Sequence, residues 1–560
     1  MLVLSPIRKI ESEKGVREAY APTHTFFAIH FRQRLKDIRQ ENHVVRSGEF
    51  LVIQKILIAN RGEIAVRVIR ACREMDIQTV AVYSDADRHA LHVRMADEAV
   101  KLGPAPAQAS YLSIERILAA ARQTGADAIH PGYGFLSENA RFAQAVDQAG
   151  IIFIGPSADA IRAMGDKAEA RQRMQAAGVP VVPGYEGLND PDSLTQAARQ
   201  LGYPLLVKAA AGGGGKGMRV VLQPADLDES IAAARREAIN AFGDERLILE
   251  RYIPNARHIE FQILADIHGH TLHLFERECS LQRRHQKILE EAPSPLLNSS
   301  KAIKAGLREK MGATAVAAAQ AVHYRNAGTV EFIVDPDSLE YYFLEMNTRL
   351  QVEHPITEQV SGLDLVQWQI RIAEGEPLSI VQSVIGQRGH AIECRLYAED
   401  PANGFLPTTG PLLRFIQPKG PGIRVDTGVT SGDEITIHYD PLIAKLIAYA
   451  ENRQIAITRM QNALRETVLL GIISNWQFLQ DVLSDQDFQS GDFYTTWIEE
   501  HFADWHPPQC GLPPEVLVAA ALTTFQNHQI TAAGSRSGHT PTSADPYSPW
   551  VVANAFRIGE

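Results

Sequence analysis

The feature that most constrains the fold of this chain is the alternation of short apolar strands with amphipathic helices between residues 55 and 154. Lys55–Ala59 is predicted to be a buried strand, and the apolar residues after Gly62 recur at helical spacing. Further strands are predicted at 79–83, 99–102, 127–130 and 151–154, with helices at 114–122 and 139–149. Strands and helices that alternate in this way form βαβ units with parallel strands. The sequence therefore predicts a parallel α/β sheet with its ligand site beyond the carboxyl ends of the strands.

The overall charge excludes functions that depend on a basic surface. The 560 residues include 55 Lys and Arg against 66 Asp and Glu, which gives a formal net charge of −11. Such a chain has no global attraction for nucleic acid or an anionic membrane, so neither is expected as a partner. The four cysteines form no CxxC pair, and no apolar stretch is long enough to span a bilayer. Acidic residues interleaved in the first fifty positions are wrong for a transit peptide, so we expect a cytoplasmic location.

Changes in composition along the chain predict five segments. The parallel sheet occupies 55–166, and a region with a glycine-rich loop occupies 167–364. A strand-rich region with Pro and Gly turns occupies 387–495. Residues 1–54 precede the first predicted strand and are expected to be either an over-long start assignment or a disordered extension. Residues 496–560 contain a predicted helix, 514–525, followed by a linker-like Gly and Ser stretch.

The glycine-rich loop at 212–217 lies between two predicted strands, 204–208 and 218–221. Glycines let backbone N–H groups approach phosphate oxygens, and Lys208 and Lys216 supply positive charge. The loop is not a P-loop, because no Gly-x-x-x-x-Gly-Lys-Ser/Thr occurs in the chain. A flexible surface loop would have the same composition. The position between two strands favours a hairpin that covers phosphates.

Two carboxylates are predicted to face each other on a β-hairpin. Residues 330–334 and 341–347 flank a turn, and a register in which paired numbers sum to 675 or 676 sets Glu331 opposite Glu345. Like charges in such positions are unfavourable unless a cation lies between them. With the Asn347 amide they form a set of oxygen ligands suited to Mg²⁺ that bridges nucleotide phosphates. A solvated hairpin face is the alternative, but the apolar residues between the acids disfavour it.

Polar residues continue at every second position beyond this hairpin, at Glu345, Asn347, Arg349, Gln351 and Glu353. In an extended segment this spacing places all five side chains on one face. Metal ligands, a guanidinium and a carboxylate in that order suit a small planar anion and the base that deprotonates it. Ordinary amphipathic alternation is the alternative.

The run 277–287 is unusually polar. Its charged and amide side chains are Arg277, Glu278, Gln282, Arg283, Arg284, His285 and Lys287. A solvated loop is the default interpretation of such a run. If the run lies near the glutamate hairpin, it would instead offset the charge of a polyphosphate, and spacing alone leaves both interpretations open.

Several motifs, in order from residue 55 to about 500, resemble the biotin carboxylase component of the biotin-dependent carboxylases, an ATP-grasp family. The matching stretches are Ile58–Ala65, His130–Asn139, Met164–Lys167, Cys279–Lys287, Glu345–Arg349, Gln351–Pro355 and Glu393–Arg395. The resemblance implies a Rossmann-like N-terminal domain, a central ATP-grasp domain and a strand-rich C-terminal biotin carboxylase domain. It also implies that the chain carboxylates biotin with ATP and bicarbonate, through carboxyphosphate.

The resemblance assigns expected roles to individual residues. ATP would be bound by Lys167, Lys208, Gly213, Gly214, Gly215, Glu250, Arg251, Ile253, His258, Gln282 and His285. Two Mg²⁺ or Mn²⁺ ions would be held by Glu331, Glu345 and Asn347. Bicarbonate would be held by Lys287, Arg349, Gln351 and Val352. Glu353 would be the general base, and Arg395 would stabilise the biotin anion.

The family's partners are expected as well. The carrier signature of the family, a lysine between two methionines, does not occur in this sequence, so biotin is expected on a partner carrier protein or domain. A carboxyltransferase subunit and a homodimer are expected by resemblance alone. The residues after 496 resemble the region that follows this component in carboxylases for acetyl-, propionyl- or 3-methylcrotonyl-CoA. That likeness predicts an alpha subunit truncated before its carrier domain.

Two other functions remain open from the sequence. Another ATP-grasp ligase, which forms carbamoyl phosphate or carboxylates an aminoimidazole, would share the lysines and the metal carboxylates. It would not need Arg349, Glu353 and Arg395 together. A non-catalytic assembly subunit would keep the fold, but every expected catalytic position is occupied here.

Overall fold

Five parallel strands form the first sheet, as the sequence predicts. The structure, a computed structural model, describes residues 51–186, 190–210, 218–284, 286–508 and 514–534. The strands are β1 Lys55–Ile58, β2 Gln78–Ser84, β3 Glu98–Gly103, β4 Ala128–His130 and β5 Ile152–Phe153. Their order is β3-β2-β1-β4-β5, and every pair is parallel. The helices are α1 Gly62–Glu74, α2 Leu91–Met95, α3 Ile114–Thr124, α4 Ala140–Gln148 and α5 Ala158–Gly165.

Local sequence signals explain where the helices begin. The Ser113 hydroxyl accepts a hydrogen bond from the backbone of Arg116, and the Asn139 amide oxygen accepts one from Phe142. Side-chain caps of this kind satisfy backbone N–H groups that have no partner within the helix. Packing begins slightly before the predicted start at Lys55, because Ile53 is buried and its N–H binds the Glu374 carboxylate at 3.0 Å.

A separate four-stranded antiparallel sheet follows. Its helices and strands are α6 Lys167–Ala176, β6 Gly184–Tyr185, α7 Pro191–Leu201, β7 Leu205–Ala209, β8 Arg219–Val221, α8 Leu227–Phe242 and β9 Leu247–Arg251. The strand order is β6-β9-β7-β8. Strands β7 and β8 flank residues 211–217, so the predicted strands on both sides of the glycine-rich loop are confirmed. The loop itself lies outside the described residues.

The largest sheet joins the central and C-terminal parts of the chain. Its first strands and the helices near them are β10 Arg257–Ala265, β11 Thr271–Arg283, β12 Gln286–Ala292, α9 Ser300–Ala305, α10 Leu307–Ala321, β13 Asn326–Val334, β14 Tyr341–Asn347, α11 His354–Ser361, α12 Leu365–Glu374 and β15 His390–Tyr397. Helices α5, α6 and α10 contribute to a core that surrounds Phe261 and Phe332, both fully buried. Burial of one such side chain contributes about 1.5–3 kcal/mol.

The C-terminal region completes this sheet and adds small two-stranded sheets. Its strands are β16 Glu399–Asp400, β17 Leu406–Pro407, β18 Gly410–Pro411, β19 Arg414–Ile416, β20 Ile423–Thr427, β21 Glu434–Ile435, β22 Leu442–Ala450 and β23 Val468–Leu470. Its helices are α13 Arg453–Glu466, α14 Trp476–Ser484, α15 Gln486–Ser490 and α16 Trp497–His501. The eight-stranded order is β14-β13-β10-β11-β12-β15-β22-β20. One continuous sheet therefore carries residues from the glutamate hairpin to β22.

Residues 506–560 form a second unit, of which helix α17, Pro514–Gly534, is described. The sequence predicts a helix at 514–525, within these bounds, and the linker-like residues beyond 534 lie outside the described residues. Among the helices that the structure describes, none combines the length and apolar character needed to cross a bilayer.

Candidate active site

The glutamate hairpin has the predicted register. Glu331 and Glu345 are paired across β13 and β14, and the numbers of paired residues sum to 676 on one side of a bulge and to 675 on the other. Asn347 donates its side-chain N–H to Glu331 Oε1 at 2.7 Å, and His258 Nε2 lies 2.8 Å from Glu331 Oε2. Two carboxylates and an amide thus lie together at the end of the hairpin, and such oxygen donors fit Mg²⁺ or Mn²⁺.

The five alternating polar residues do not share one strand face, which corrects the prediction of a single extended segment. Strand β14 ends at Asn347, and the chain then forms a loop that leads into α11 at His354. The side chains still meet. Arg349 donates to the side-chain oxygens of Gln351 at 2.9 Å and Asn347 at 3.3 Å. Residues 348–353 are held by these contacts rather than by strand pairing, and we call them the catalytic loop.

The polar run 277–287 lies on strands β11 and β12 and their turn, so the solvated-loop interpretation is wrong for its inner members. Arg277 is fully buried. Lys287 Nζ lies 2.6 Å from Glu353 Oε1, 3.1 Å from Glu331 Oε1 and 2.5 Å from Glu260 Oε2. Lys287 thus connects the hairpin with the catalytic loop.

Glu353 is held from its other side by the C-terminal region. Arg395, on β15, donates Nη2 to Glu353 Oε2 at 2.9 Å and Nε to Glu290 Oε1 at 2.6 Å. Glu353 is 1% exposed and Arg395 is 6% exposed. Because both carboxylate oxygens accept from cations, the Glu353 side chain has one fixed orientation.

A cavity of about 370 Å³ lies between the four-stranded sheet and the hairpin. Predicted site residues that line it are Lys167, Lys208, Glu250, Glu345, Asn347 and Arg349. Lys208 Nζ lies 2.6 Å from Glu250 Oε2, so these two residues of the cavity wall form an ion pair. Burial lowers the pKa of Lys167, although nearby Glu345 acts to raise it. Two lysines and the hairpin carboxylates form a cleft suited to a polyphosphate and its cations.

Other predicted nucleotide residues lie elsewhere in the described structure. Arg251 ends β9 and is 3.6 Å from Glu340, and Ile253 is buried two positions later. Gln282 is paired with Lys287 across β11 and β12. Among the described residues that form the cavity wall, none of Arg251, Ile253, His258 and Gln282 is found. Gly213, Gly214, Gly215 and His285 lie outside the described residues.

Comparison with known proteins assigns most of the chain to described families. Residues 52–161 match "Biotin carboxylase, N-terminal domain", residues 166–381 match "Carbamoyl-phosphate synthase L chain, ATP binding domain", and residues 393–500 match "Biotin carboxylase C-terminal domain". Biotin carboxylase 1 of Bacillus subtilis is 50% identical over 451 residues, which cover 80% of this chain and 99% of that protein. This chain belongs to the biotin carboxylase family. It is accordingly an ATP-dependent ligase.

Two further relatives are similar over much of the chain. The mitochondrial methylcrotonoyl-CoA carboxylase subunit alpha of Mus musculus is 48% identical over 509 residues, which cover 90% of this chain and 69% of that protein. The biotin carboxylase domain dimer of the Hydrogenobacter thermophilus 2-oxoglutarate carboxylase, solved with MgADP, ADP and bicarbonate, is 47% identical. The match covers 82% of this chain and all of that one, with a TM-score of 0.77.

The electrostatics of the site favour the charged forms of Glu353 and Glu331. Burial acts to raise the pKa of Glu353, but Lys287 and Arg395 outweigh it and hold that pKa well below its usual range. Glu331 behaves in the same way, with its pKa lowered by Lys287 and His258 against burial. By contrast, burial and the charge of Glu331 raise the pKa of Glu345. A cation near Glu345 would therefore stabilise the charged form of this second hairpin acid.

Sequence reasoning missed two acids of this site. Glu260 is fully buried between Arg277 and Lys287. The alternation of His258, Glu260 and Gln262 along β10 would have indicated it. Glu138 accepts from Arg349 Nε at 2.9 Å and from the Thr348 N–H at 3.1 Å. It lies in the quoted motif 130–139, but no spacing rule connects that motif with residues two hundred positions later.

Proposed function

We propose that this protein carboxylates biotin on a partner carrier protein or domain, with ATP and bicarbonate, as the first half-reaction of an acetyl-, propionyl- or 3-methylcrotonyl-CoA carboxylase. The observation that carries the proposal is the position of Glu353. Its carboxylate lies between Lys287 and Arg395, and the same Lys287 contacts the hairpin acid Glu331. One network of contacts thereby joins the proposed base Glu353, the proposed bicarbonate ligand Lys287 and the proposed metal ligand Glu331.

ATP would bind with its phosphates in the cavity near Lys167 and Lys208. Lys208 is paired with Glu250, so binding of phosphate would compete for the Lys208 ammonium. The backbone of Gly213, Gly214 and Gly215 would close over the phosphates. The residues proposed for the rest of the nucleotide are Glu250, Arg251, Ile253, His258, Gln282 and His285.

Glu331, Glu345 and Asn347 would hold two Mg²⁺ or Mn²⁺ ions. When bound, these ions would neutralise charge on the phosphates of ATP. The raised pKa of Glu345, caused by burial and by Glu331, supports this assignment because it is relieved by nearby positive charge.

Bicarbonate would be held by Lys287, Arg349, Gln351 and Val352, with Glu353 as its base. The free Glu353 is a weak base because Lys287 and Arg395 hold its pKa down. An incoming anion shares the charge of Lys287 and so raises the pKa of Glu353. The bicarbonate proton then moves to Glu353, the bicarbonate oxygen attacks the γ-phosphorus, and ADP leaves, which yields carboxyphosphate.

Carboxyphosphate would break down to CO₂ and phosphate. The phosphate takes the ureido N–H proton of biotin, and the resulting biotin anion attacks CO₂. Arg395 would stabilise that anion, because its guanidinium is buried, charged and fixed by Glu290 and Glu353.

Partners and location extend the proposal beyond this chain. The alpha-subunit relative supports a carboxyltransferase partner, and the solved relative crystallised as a dimer supports a homodimer. A cytoplasmic location stays a prediction, since several alpha-subunit relatives are named as mitochondrial.

Phosphate release from ATP and Mg²⁺ tests the proposal when it is measured with and without bicarbonate and with added free biotin. Stimulation that requires both bicarbonate and biotin is expected. Release that is indifferent to biotin would instead indicate another ATP-grasp ligase. No release from folded protein that binds ATP would indicate an assembly subunit.

A further inference from the structure

The middle of β22 contains a fully buried lysine that no role described above uses. Lys445 has 0% exposure, and its Nζ donates to the Val352 carbonyl at 2.7 Å. We propose that Lys445 is a positioning residue for bicarbonate, which acts by fixing the peptide unit between Val352 and Glu353. The inference rests on the proposed function, because it assigns a bicarbonate site to the catalytic loop.

Strand register places Lys445 beside the arginine that holds Glu353. Lys445 and Arg395 are paired across β22 and β15, so their side chains lie on the same face of the sheet. Arg395 binds the Glu353 carboxylate at 2.9 Å, and Lys445 binds the carbonyl one residue earlier. Two neighbouring cations thus hold consecutive residues of the catalytic loop from the same side.

The Val352 carbonyl has no place in the hydrogen bonding of α11. The carbonyl of Gln351 accepts from His354 Nδ1 at 2.8 Å, and that of Glu353 accepts from the Ile356 N–H at 3.3 Å. The Val352 carbonyl precedes the helix and accepts from Lys445 instead. Because the peptide unit is planar, a bond to this oxygen also fixes the direction of the Glu353 backbone N–H and the start of its side chain.

Acids from two other parts of the chain lie near Lys445, both farther from its Nζ than the Val352 carbonyl. Glu63, on α1, lies 3.2 Å from Lys445 Nζ, and Asp426, on β20, lies 4.0 Å away. The N- and C-terminal regions meet closely here, since a Cβ added at Gly428 would lie 2.4 Å from the backbone of Gly62. Burial acts to lower the pKa of Lys445, but Glu63 and its neighbours raise it, so the donor stays charged.

Two variants of the full chain separate positioning from structural support. Lys445→Met removes both the hydrogen bond to Val352 and the ion pair with Glu63. Glu63→Gln removes the ion pair and leaves the donor to Val352 in place. ATP cleavage is measured in bicarbonate-depleted buffer as bicarbonate is added. We expect Lys445→Met to raise the KM for bicarbonate about tenfold or more, with the KM for ATP unchanged.

In the same assay, Glu63→Gln is expected to keep the bicarbonate KM of the wild type. Equal effects of the two variants, or an unchanged bicarbonate KM in Lys445→Met, would overturn the positioning role. Where Lys445→Met does not fold, Lys445→Gln replaces it, and its KM increase must still exceed that of Glu63→Gln. Wild-type protein whose ATP cleavage ignores bicarbonate would overturn the proposed function itself, and the inference with it.

Discussion

Lys287 Nζ lies 2.6 Å from one carboxylate oxygen of Glu353, so the proposed base and a proposed bicarbonate ligand are ion-paired before substrate binds. The pair is almost fully buried on the Glu353 side, and its charges are little screened by solvent. Bicarbonate must therefore enter a site in which the base is already neutralised by a cation. Bicarbonate that shares the charge of Lys287 would raise the pKa of Glu353, so Glu353 would become a stronger base only when bicarbonate is bound.

Replacement of the base is expected to abolish turnover while ATP binding persists. Glu353→Gln keeps the shape of the side chain but cannot take a proton, so kcat should fall by about 10²–10⁴-fold. ATP affinity, measured by calorimetry, should be unchanged because Glu353 does not line the nucleotide cavity. Glu115→Gln, at an exposed position, is the control. Carboxylation that survives in Glu353→Gln would show that the base is a different group.

Arg395 is expected to matter most when biotin is present. In Arg395→Gln, the rates of ATP cleavage with and without biotin should both fall, because the variant loses a contact to Glu353. The biotin-stimulated rate should fall further, by about 10²–10³-fold, since the biotin anion loses its cation. Arg395→Lys retains a positive charge but not the planar guanidinium. Its biotin-stimulated rate should therefore lie between those of the wild type and Arg395→Gln. Equal losses with and without biotin would contradict the assigned role.

Glu345 is expected to set the metal requirement. Glu345→Gln should raise the Mg²⁺ concentration for half-maximal ATP cleavage about tenfold. Its thermal stability in EDTA should not fall, because burial and the charge of Glu331 raise the pKa of Glu345 and so disfavour its charged form when no metal is bound. Glu229→Gln, on the exposed side of α8, serves as a comparison. An unchanged Mg²⁺ titration would remove Glu345 from the ligand set.

His130 is expected to make stability depend on pH. Burial lowers the pKa of His130 to about 4, against 6.5 for an ordinary histidine. Between these values the unfolded chain binds a proton that the folded protein does not, so stability is present above pH 6.5 and is lost as the pH falls towards 4. The contribution is about 3 kcal/mol.

Melting temperatures measured between pH 7.5 and about 4.5 test this prediction. The slope of melting temperature against pH is expected to be smaller in His130→Gln than in the wild type. His89→Gln, at an exposed position, should leave the slope unchanged. A wild-type slope equal to that of His130→Gln would contradict the prediction.

Periodicity and pairing rules predict much of the fold because they depend on local patterns. The strands and helices from Lys55 to Phe153 follow the predicted order, and the hairpin register places Glu331 opposite Glu345. The end of β14 at Asn347 was not predicted, since alternation continues in the sequence while the backbone turns. Side-chain contacts, rather than strand pairing, hold the segment beyond that point.

The candidate site itself depends on contacts that local patterns do not contain. Arg277 was grouped with a polar run, yet it is buried because Glu260, Gln262 and Thr329 accept from its guanidinium. Those partners lie on two other strands. Charge compensation of this kind depends on tertiary structure, so a charged run in a sequence does not distinguish a solvated turn from a buried ionic network.

The sheet that carries Glu331 on β13 also carries Arg395 on β15 and Lys445 on β22, and each strand between them is paired with its neighbours. Lys208 and Glu250 belong to a different sheet of four strands. The positions of Glu331, Arg395 and Lys445 relative to one another are therefore set by strand pairing within one sheet. A movement of the smaller sheet would change the distance between Lys208 and the hairpin, and it would leave the spacing of Glu331 and Arg395 unchanged.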